Sequence, residues 1–290
     1  MTMRKQRPEV YYEFESTAFK LTSGLESSRV TLTNLHPILV RPFVPTVLPL
    51  GLKLLHCLNG QAFILSGQSQ KKVFCHTGMI DSGYRGEIKL VVLNTTQYNI
   101  TLFADELKIS LVSFFYSTPL LQDNFLLSRP HYAKDAGFDL YLPEDLLIFP
   151  QSSTTLTINS SVPTTSKFFK PVIFGRSGLA TEGIVLDVVK WTHNPLTLKI
   201  YNFTDNTVRY PVGTRICQVV FVHKRHFPSK LKHFFTYVNI NSKVAFYWAN
   251  VSFIDAKNMI YTNLSSPSCG DTVPPDGNDR GDMGFGSSGK

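Results

Sequence analysis

Cysteine is scarce in this sequence, with four in 290 residues, and Cys57, Cys75, Cys217 and Cys269 stand far apart with no Cys-x-x-Cys pair. That spacing offers neither a zinc site nor a disulfide framework, so the four read as free thiols. Charge is also sparse, at 17% of residues. No stretch reaches the roughly 18 apolar residues that a membrane-spanning helix needs. Residues 1–10 are charged and lack the apolar segment of a secretory leader. A soluble, intracellular protein is expected, and the sequons at Asn94, Asn99, Asn202 and Asn263 then read as polar turn residues.

What the sequence does contain favours strands. It is 43% hydrophobic and 12% aromatic, rich in β-branched residues, and punctuated by 18 glycines and 17 prolines. This mixture suits strands and turns better than long helices and is ample for a large core, so a mainly β fold is expected. A formal net charge of +8 suits a phosphate-rich partner, either a nucleotide or a nucleic acid. The densest basic run is His223-Lys224-Arg225-His226, continuing to Lys230, Lys232 and His233. Apart from Phe227 it lacks interleaved aromatics, and it reads as a solvated face, not a nucleic-acid groove.

Laid on itself with a shift of 108 positions, the sequence gives an ordered match. Leu65-Ser66-Gly67-Gln68-Ser69 falls on Ile173-Phe174-Gly175-Arg176-Ser177. In the same register Ile88, Leu90 and Val92 fall on Leu196, Leu198 and Ile200, Asn94 falls on Asn202, and Thr96 on Thr204. Ile100 meets Val208 and Leu111 meets Val219. Alternating apolar positions followed by a polar turn are the period of half-buried strands and hairpins, and two related β units in tandem explain the match. Residues 117–130 form a plausible connector. After about residue 263 a Ser-, Pro- and Gly-rich tail begins that cannot bury a core. The expected division is 1–118, 119–262 and a flexible tail at 263–290.

Five segments carry candidate chemistry. In Gly78-Met79-Ile80-Asp81-Ser82-Gly83-Tyr84-Arg85-Gly86, an Asp at a strand end between glycines can orient a water as general base, and Tyr84 offers a flat face to a sugar or base. Taken alone, Asp-Ser-Gly is more often just a turn. In Asp135-Ala136-Gly137-Phe138-Asp139-Leu140, two carboxylates at a strand edge are hard donors suited to Mg²⁺, or again merely part of a turn. Phe174-Gly175-Arg176-Ser177-Gly178-Leu179-Ala180 combines an Arg fork, a hydroxyl and glycine-exposed N–H groups, which are phosphate-binding parts. In Gly213-Thr214-Arg215-Ile216-Cys217-Gln218-Val219, alternation sets Arg215, Cys217 and Val219 on one face and Ile216 and Gln218 on the other, and a Gln among apolar neighbours needs a partner such as a catalytic water. The last segment, residues 280–290, places Phe285, Ser287 and Ser288 in a glycine-rich stretch able to lie over a nucleotide. Its Gly-x-x-x-x-Gly-Lys pattern is not a working P-loop, because no Ser or Thr and no helix follows Lys290. Arg280-Gly281-Asp282 likewise has a structural reading rather than an integrin-binding one.

Together and in this order, the five segments resemble the motifs of the dUTPase family. In the usual trimeric members the segment similar to 78–86 stands third, whereas here it stands first. That permutation, the doubled length and the internal repeat are similar to the monomeric dUTPases of herpesviruses, and the tracts around Arg176, Gln218 and Phe285 look most like gammaherpesvirus members. The resemblance implies two tandem dUTPase-like units, barrel-like or jelly-roll-like, with a C-terminal lid. It also implies hydrolysis of dUTP to dUMP and pyrophosphate, which limits uracil incorporation into DNA and supplies dUMP for dTTP synthesis. By the same resemblance, Asp81 activates the water that attacks the α-phosphorus, Gln218 helps place it, and Tyr84 packs on the deoxyribose. Asp139 would hold Mg²⁺ through coordinated water, and Arg176, Ser177 and Gly178 would bind phosphates. Phe285 would stack on uracil while Arg280, Gly286, Ser287 and Ser288 complete the phosphate cage.

The resemblance further implies a monomer with one site, in the cytoplasm or nucleus of an infected cell, and no stable nucleic-acid or membrane partner. Each half is incomplete alone: the first keeps Asp81 and Tyr84 but has Gln68 opposite Arg176, while the second has no acidic segment matching 78–86. Asp282-Met283 departs from the small residues usual there. Two other readings compete: a non-enzymatic interaction module on the same fold, whose signature would be loss of Asp81, Asp139 or the tail, and a nucleic-acid-binding β protein supported by charge alone. Deleting residues 280–290 is expected to leave the melting curve unchanged and to abolish almost all dUTP hydrolysis. Full activity, or a truncated chain that no longer folds, would show the tail to be misread.

Overall fold

The alternating segments build strands and the Asn-x-Thr segments close hairpins, so the protein is mainly β. The structure is a computed structural model that describes residues 7–23, 27–57, 60–121, 126–130, 132, 134–163, 166–227, 237–240 and 244–259. Arg280, Phe285, Gly286, Ser287 and Ser288 lie outside the described residues. Among those described, the α-helices are the short Ser177–Thr181 and Ala256–Met259, and no helix is long and apolar enough to cross a membrane.

The 108-residue repeat holds in three dimensions. Strand Ile100–Leu102 pairs with Ile38–Val40, and Val208–Tyr210 pairs with Leu146–Ile148 in the matching register. Lys108–Ser117 pairs with Gln61–Gln68 as Arg215–His223 pairs with Phe169–Gly175. Even the turn chemistry is duplicated. Asn94 Nδ2 donates to Val40 O at 2.9 Å and Tyr98 O at 2.6 Å, while its Oδ1 accepts from Thr96 N at 2.8 Å. Asn202 Nδ2 donates to Ile148 O at 3.2 Å and Asn206 O at 2.7 Å, and its Oδ1 accepts from Thr204 N at 2.9 Å. Both asparagines are buried and satisfy backbone groups that strand pairing leaves over.

Each half has its own apolar core, one around Leu50, Leu52, Phe63 and Leu90 and the other around Phe138, Trp191, Leu198 and Phe221. A third core joins them, in which Ala62, Ile64, Val112 and Phe114 of the first half pack with Ala136, Val172, Phe174 and Val220 of the second. The sheets also run together where Tyr116 and Ser117 pair with Val222 and Phe221. After the second half the chain returns: Ser252–Asp255 pairs in parallel with Glu9–Tyr12, and Val251 and Phe253 enter the first half's core.

The basic run departs from a plain solvated face. Lys224 and Arg225 are exposed, but Arg225 lies 4.3 Å over Phe115 and Lys224 lies 4.9 Å over Phe168, aromatics supplied from elsewhere in the chain. His226 is buried between Phe115 and Phe246. Its Nε2 accepts from Phe115 N at 3.0 Å and its Nδ1 stands 2.7 Å from Tyr247 O, an arrangement only the neutral Nδ1–H tautomer satisfies. Burial, aided by the neighbouring Arg225 and His223 charges, pushes its pKa down to about 4. Between that value and the ordinary pKa of about 6.5, the unfolded chain binds a proton that the folded chain refuses, so stability is full above pH 6.5 and declines as pH falls toward 4. His226→Gln is expected to flatten the pH dependence of unfolding free energy in that window by up to about 1.4 kcal/mol per pH unit. Urea titrations from pH 7 to 4 check this, and an unchanged slope would refute the buried neutral state.

Candidate active site

Asp81 sits where Gly78–Ile80, a short strand paired with Gln61–Gln68, runs into a turn. The turn is tightly tied: Tyr84 N donates to Asp81 O at 3.1 Å, Tyr84 OH to Glu87 O at 2.9 Å, and Arg85 Nη1 to Ser82 O at 2.7 Å. Asp81 is only 6% exposed, and its Oδ1 accepts the backbone N–H of Ala136, in the second half, at 2.8 Å. A carboxylate held by one oxygen in a largely buried setting keeps a fixed direction for the other.

Ala136 opens strand Gly137–Tyr141, which pairs with Arg215–His223 and brings Asp139 opposite Gln218. Phe169–Gly175 pairs on the other side of that strand, bringing Phe174 opposite Gln218. Gly137 lets the Gln218 side chain approach closely, because a Cβ on it would stand 2.5 Å from Gln218 Oε1 and 3.1 Å from Gln218 Cβ. The Gln218 side chain therefore crosses directly over the residue after Ala136. Arg176, at the N-cap of helix Ser177–Thr181, forms an ion pair with Asp139 Oδ1, and Arg215 Nη1 reaches Asp139 Oδ2 at 3.3 Å. All three are largely buried.

Arg215 was expected on the face away from Gln218. A register shift between Leu140 and Tyr141 opposes Tyr141 to Arg215 and leaves Ile216 as the extra residue. This bulge turns Arg215 toward Asp139, while Ile216 and Cys217 both enter the second half's core. Ala136 and His76 were also missed; the first acts through its backbone and the second is placed only by tertiary packing.

A cleft collects Asp81, Tyr84, Met79, Ile80, Lys89 and His76 from the first half and Ser177 from the second. Asp139, Arg176 and Gln218 form an adjoining cluster linked to it through Ala136 and Gly137, and Gly178 follows Ser177 in the helix, its carbonyl accepting from Thr181 Oγ1 at 2.6 Å.

A mainly β chain with a buried carboxylate, a sugar-sized aromatic face and an Arg-Ser-Gly segment converging on one inter-half cleft has the parts of a nucleotide-hydrolase site. Residues 123–243 match the dUTPase family model. The chain is 69% identical over 289 residues to the deoxyuridine 5'-triphosphate nucleotidohydrolase of equine herpesvirus 2 (strain 86/87), covering 100% of this chain and 99% of that one. It is 41% identical to the protein of the same name from saimiriine herpesvirus 2 (strain 11), covering 97% of this chain and 98% of that one. The corresponding protein of human herpesvirus 8 type P (isolate GK18) is 40% identical, with 97% of each chain covered. The chain belongs to the dUTPase family.

The family implies a divalent cation. Among the described residues no group of three or more His, Cys, Asp or Glu stands together to hold a metal ion, and the Asp139 carboxylate is shared by two arginines. That donor set offers no protein cage and fits a hydrated divalent cation carried largely by a ligand's phosphates. Asp139→Ala removes the carboxylate that Arg176 and Arg215 share and leaves their charges facing each other in a largely buried setting. A loss of roughly 3 kcal/mol in unfolding free energy is expected, measured by urea denaturation. A loss below about 0.5 kcal/mol would mean the pair is solvated as freely as a surface one.

Proposed function

We propose that this chain hydrolyses dUTP to dUMP and pyrophosphate, with Asp81 as the general base. The observation that carries the reading is the buried Asp81 carboxylate, aimed by the Ala136 N–H and lining one cleft with Tyr84 and Ser177. Water held between Asp81 and the Gln218 amide attacks the α-phosphorus, its proton passes to Asp81, and the bond to the bridging oxygen breaks to release pyrophosphate. Tyr84 packs on the deoxyribose, leaving no room for a 2′-hydroxyl. Arg176, Ser177 and Gly178 bind phosphate oxygens, Arg176 exchanging part of its contact with Asp139 for the incoming anion. Asp139 would hold Mg²⁺ through coordinated water, and the ion would supply charge neutralisation at the phosphates. Arg280, Phe285, Gly286, Ser287 and Ser288 complete the enclosure over base and phosphates.

The same reading makes the protein a monomer of two tandem units, 1–118 and 119–262, the last strand of which, Ser252–Asp255, returns to the first unit, with a tail at 263–290 and one active site. Its product serves dTTP synthesis, and its action limits uracil in DNA within the infected cell. The cleft's composition supports the single-site arrangement, because neither half supplies both Asp81 and Ser177.

The purified protein with Mg²⁺ is expected to release pyrophosphate from dUTP much faster than from dTTP, dCTP or UTP, since a close-fitting cleft excludes a 5-methyl, a 4-amino group and a 2′-hydroxyl. Equal rates on all four would refute the assignment. Asp81→Asn keeps an acceptor for Ala136 N–H but removes the base, so kcat should fall by about 10²- to 10⁴-fold with little change in dUTP affinity. A kcat near wild type would remove Asp81 from the mechanism.

A further inference from the structure

His76 stands out among the groups the mechanism leaves unused. It is 4% exposed, its backbone N donates to Val91 O at 2.9 Å, and its side chain lines the cleft shared by Asp81 and Tyr84. Its Nε2 is buried and has no hydrogen-bond partner among the described residues. A buried nitrogen left unmet costs stability that a Leu or Phe of similar volume would not lose. The ring also lies close against the backbones of two glycines. An ideal Cβ on Gly175 would lie 3.1 Å from His76 Cε1 and 3.7 Å from Nδ1, and one on Gly78 would lie 3.9 Å from Cδ2. One glycine comes from each half, so the imidazole is set where both halves meet the cleft.

We propose that His76 is a specificity-determining residue of this site, its Nε2 completing its hydrogen bonding on the polar edge of the bound pyrimidine. The inference rests on the nucleotide reading above and deepens it. His76 lies with buried Leu65, Gly78 and Val91 at the inner end of the cleft, whereas Tyr84 and Ser177 are half-buried and Lys89 is exposed at its mouth. With Tyr84 on the sugar and Ser177 on phosphate, the base is the part of the nucleotide left to point inward. Burial pushes the His76 pKa down to about 4, so near neutral pH the ring offers one N–H and one acceptor, and either tautomer matches a group on a uracil edge. Because Nε2 is covered in the free protein, the base reaches it by displacing a wall side chain. Met79, unbranched and half-buried in the same wall, is suited to that movement.

The test uses the full chain with ¹⁵N-labelled histidine and follows the His76 Nε2 resonance, assigned by its absence from His76→Phe or His76→Gln. Addition of dUMP should shift it, and addition of 2-deoxyribose 5-phosphate, which has the sugar and phosphate but no base, should not. In kinetics, His76→Phe should raise KM for dUTP about tenfold with kcat within about twofold, and should narrow the preference for dUTP over dCTP. His76→Gln should recover part of both. A resonance that ignores dUMP, or that answers the abasic sugar equally, overturns the inference, as does a His76→Phe protein with unchanged KM and preference. If His76→Phe does not fold, the wild-type spectra alone decide. Hydrolysis of dUTP by a wild-type protein whose His76 is unmoved refutes this inference only, whereas absence of dUTP hydrolysis refutes the proposed function itself.

Discussion

A single backbone N–H, that of Ala136, reaches from one half of the chain to the Asp81 carboxylate of the other at 2.8 Å, and it can do so only if the two halves keep one fixed relation. A hydrogen bond of this kind tolerates displacements of a few tenths of an ångström. The shared core of Ile64, Val112, Phe114, Val172, Phe174 and Val220 supplies that rigidity, and the pairing of Tyr116 and Ser117 with Val222 and Phe221 carries one sheet across the boundary. Close-packed interiors transmit displacement instead of absorbing it, so a shift anywhere in this shared core would be felt at the carboxylate.

The cluster beside it works by charge. Asp139 holds two guanidinium groups that would otherwise repel each other, and strand pairing sets it opposite Gln218. On the proposed function, phosphates arriving at Arg176 compete with Asp139 for that guanidinium, so an internal carboxylate holds in the free protein what an anionic ligand would partly replace. This preorganises the donors at the cost of a competing contact.

Much of this was legible in the sequence. The 108-residue repeat could be read because alternation and Asn-x-Thr turns are local signals, and the two turns prove to share hydrogen bonds as well as residues. The candidate residues 81, 84, 139, 176 and 218 could be singled out because each stands in a short motif. What escaped depends on the third dimension. The Ala136 contact is made by a backbone group that any residue type supplies, the bulge that turns Arg215 breaks the period used to place it, and His226 looked solvated because its neighbours in sequence are charged while its neighbours in space are Phe115 and Phe246. The return of Ser252–Asp255 to the first half crosses the tandem division and leaves no mark on the repeat.

That returning strand also bears on how the protein is made. Glu9–Phe14 pairs on one side with Thr46–His56, available early in synthesis, but its other edge is covered by Ser252–Asp255, which leaves the ribosome some 240 residues later. Throughout elongation the first half therefore carries an open strand edge and a core lacking Val251 and Phe253. A closure of such high contact order makes emergence of residues 252–255, not emergence of the first half, the event that commits it to its final state. Ribosome stalling or premature termination before residue 252 would leave a species with that edge exposed to other chains.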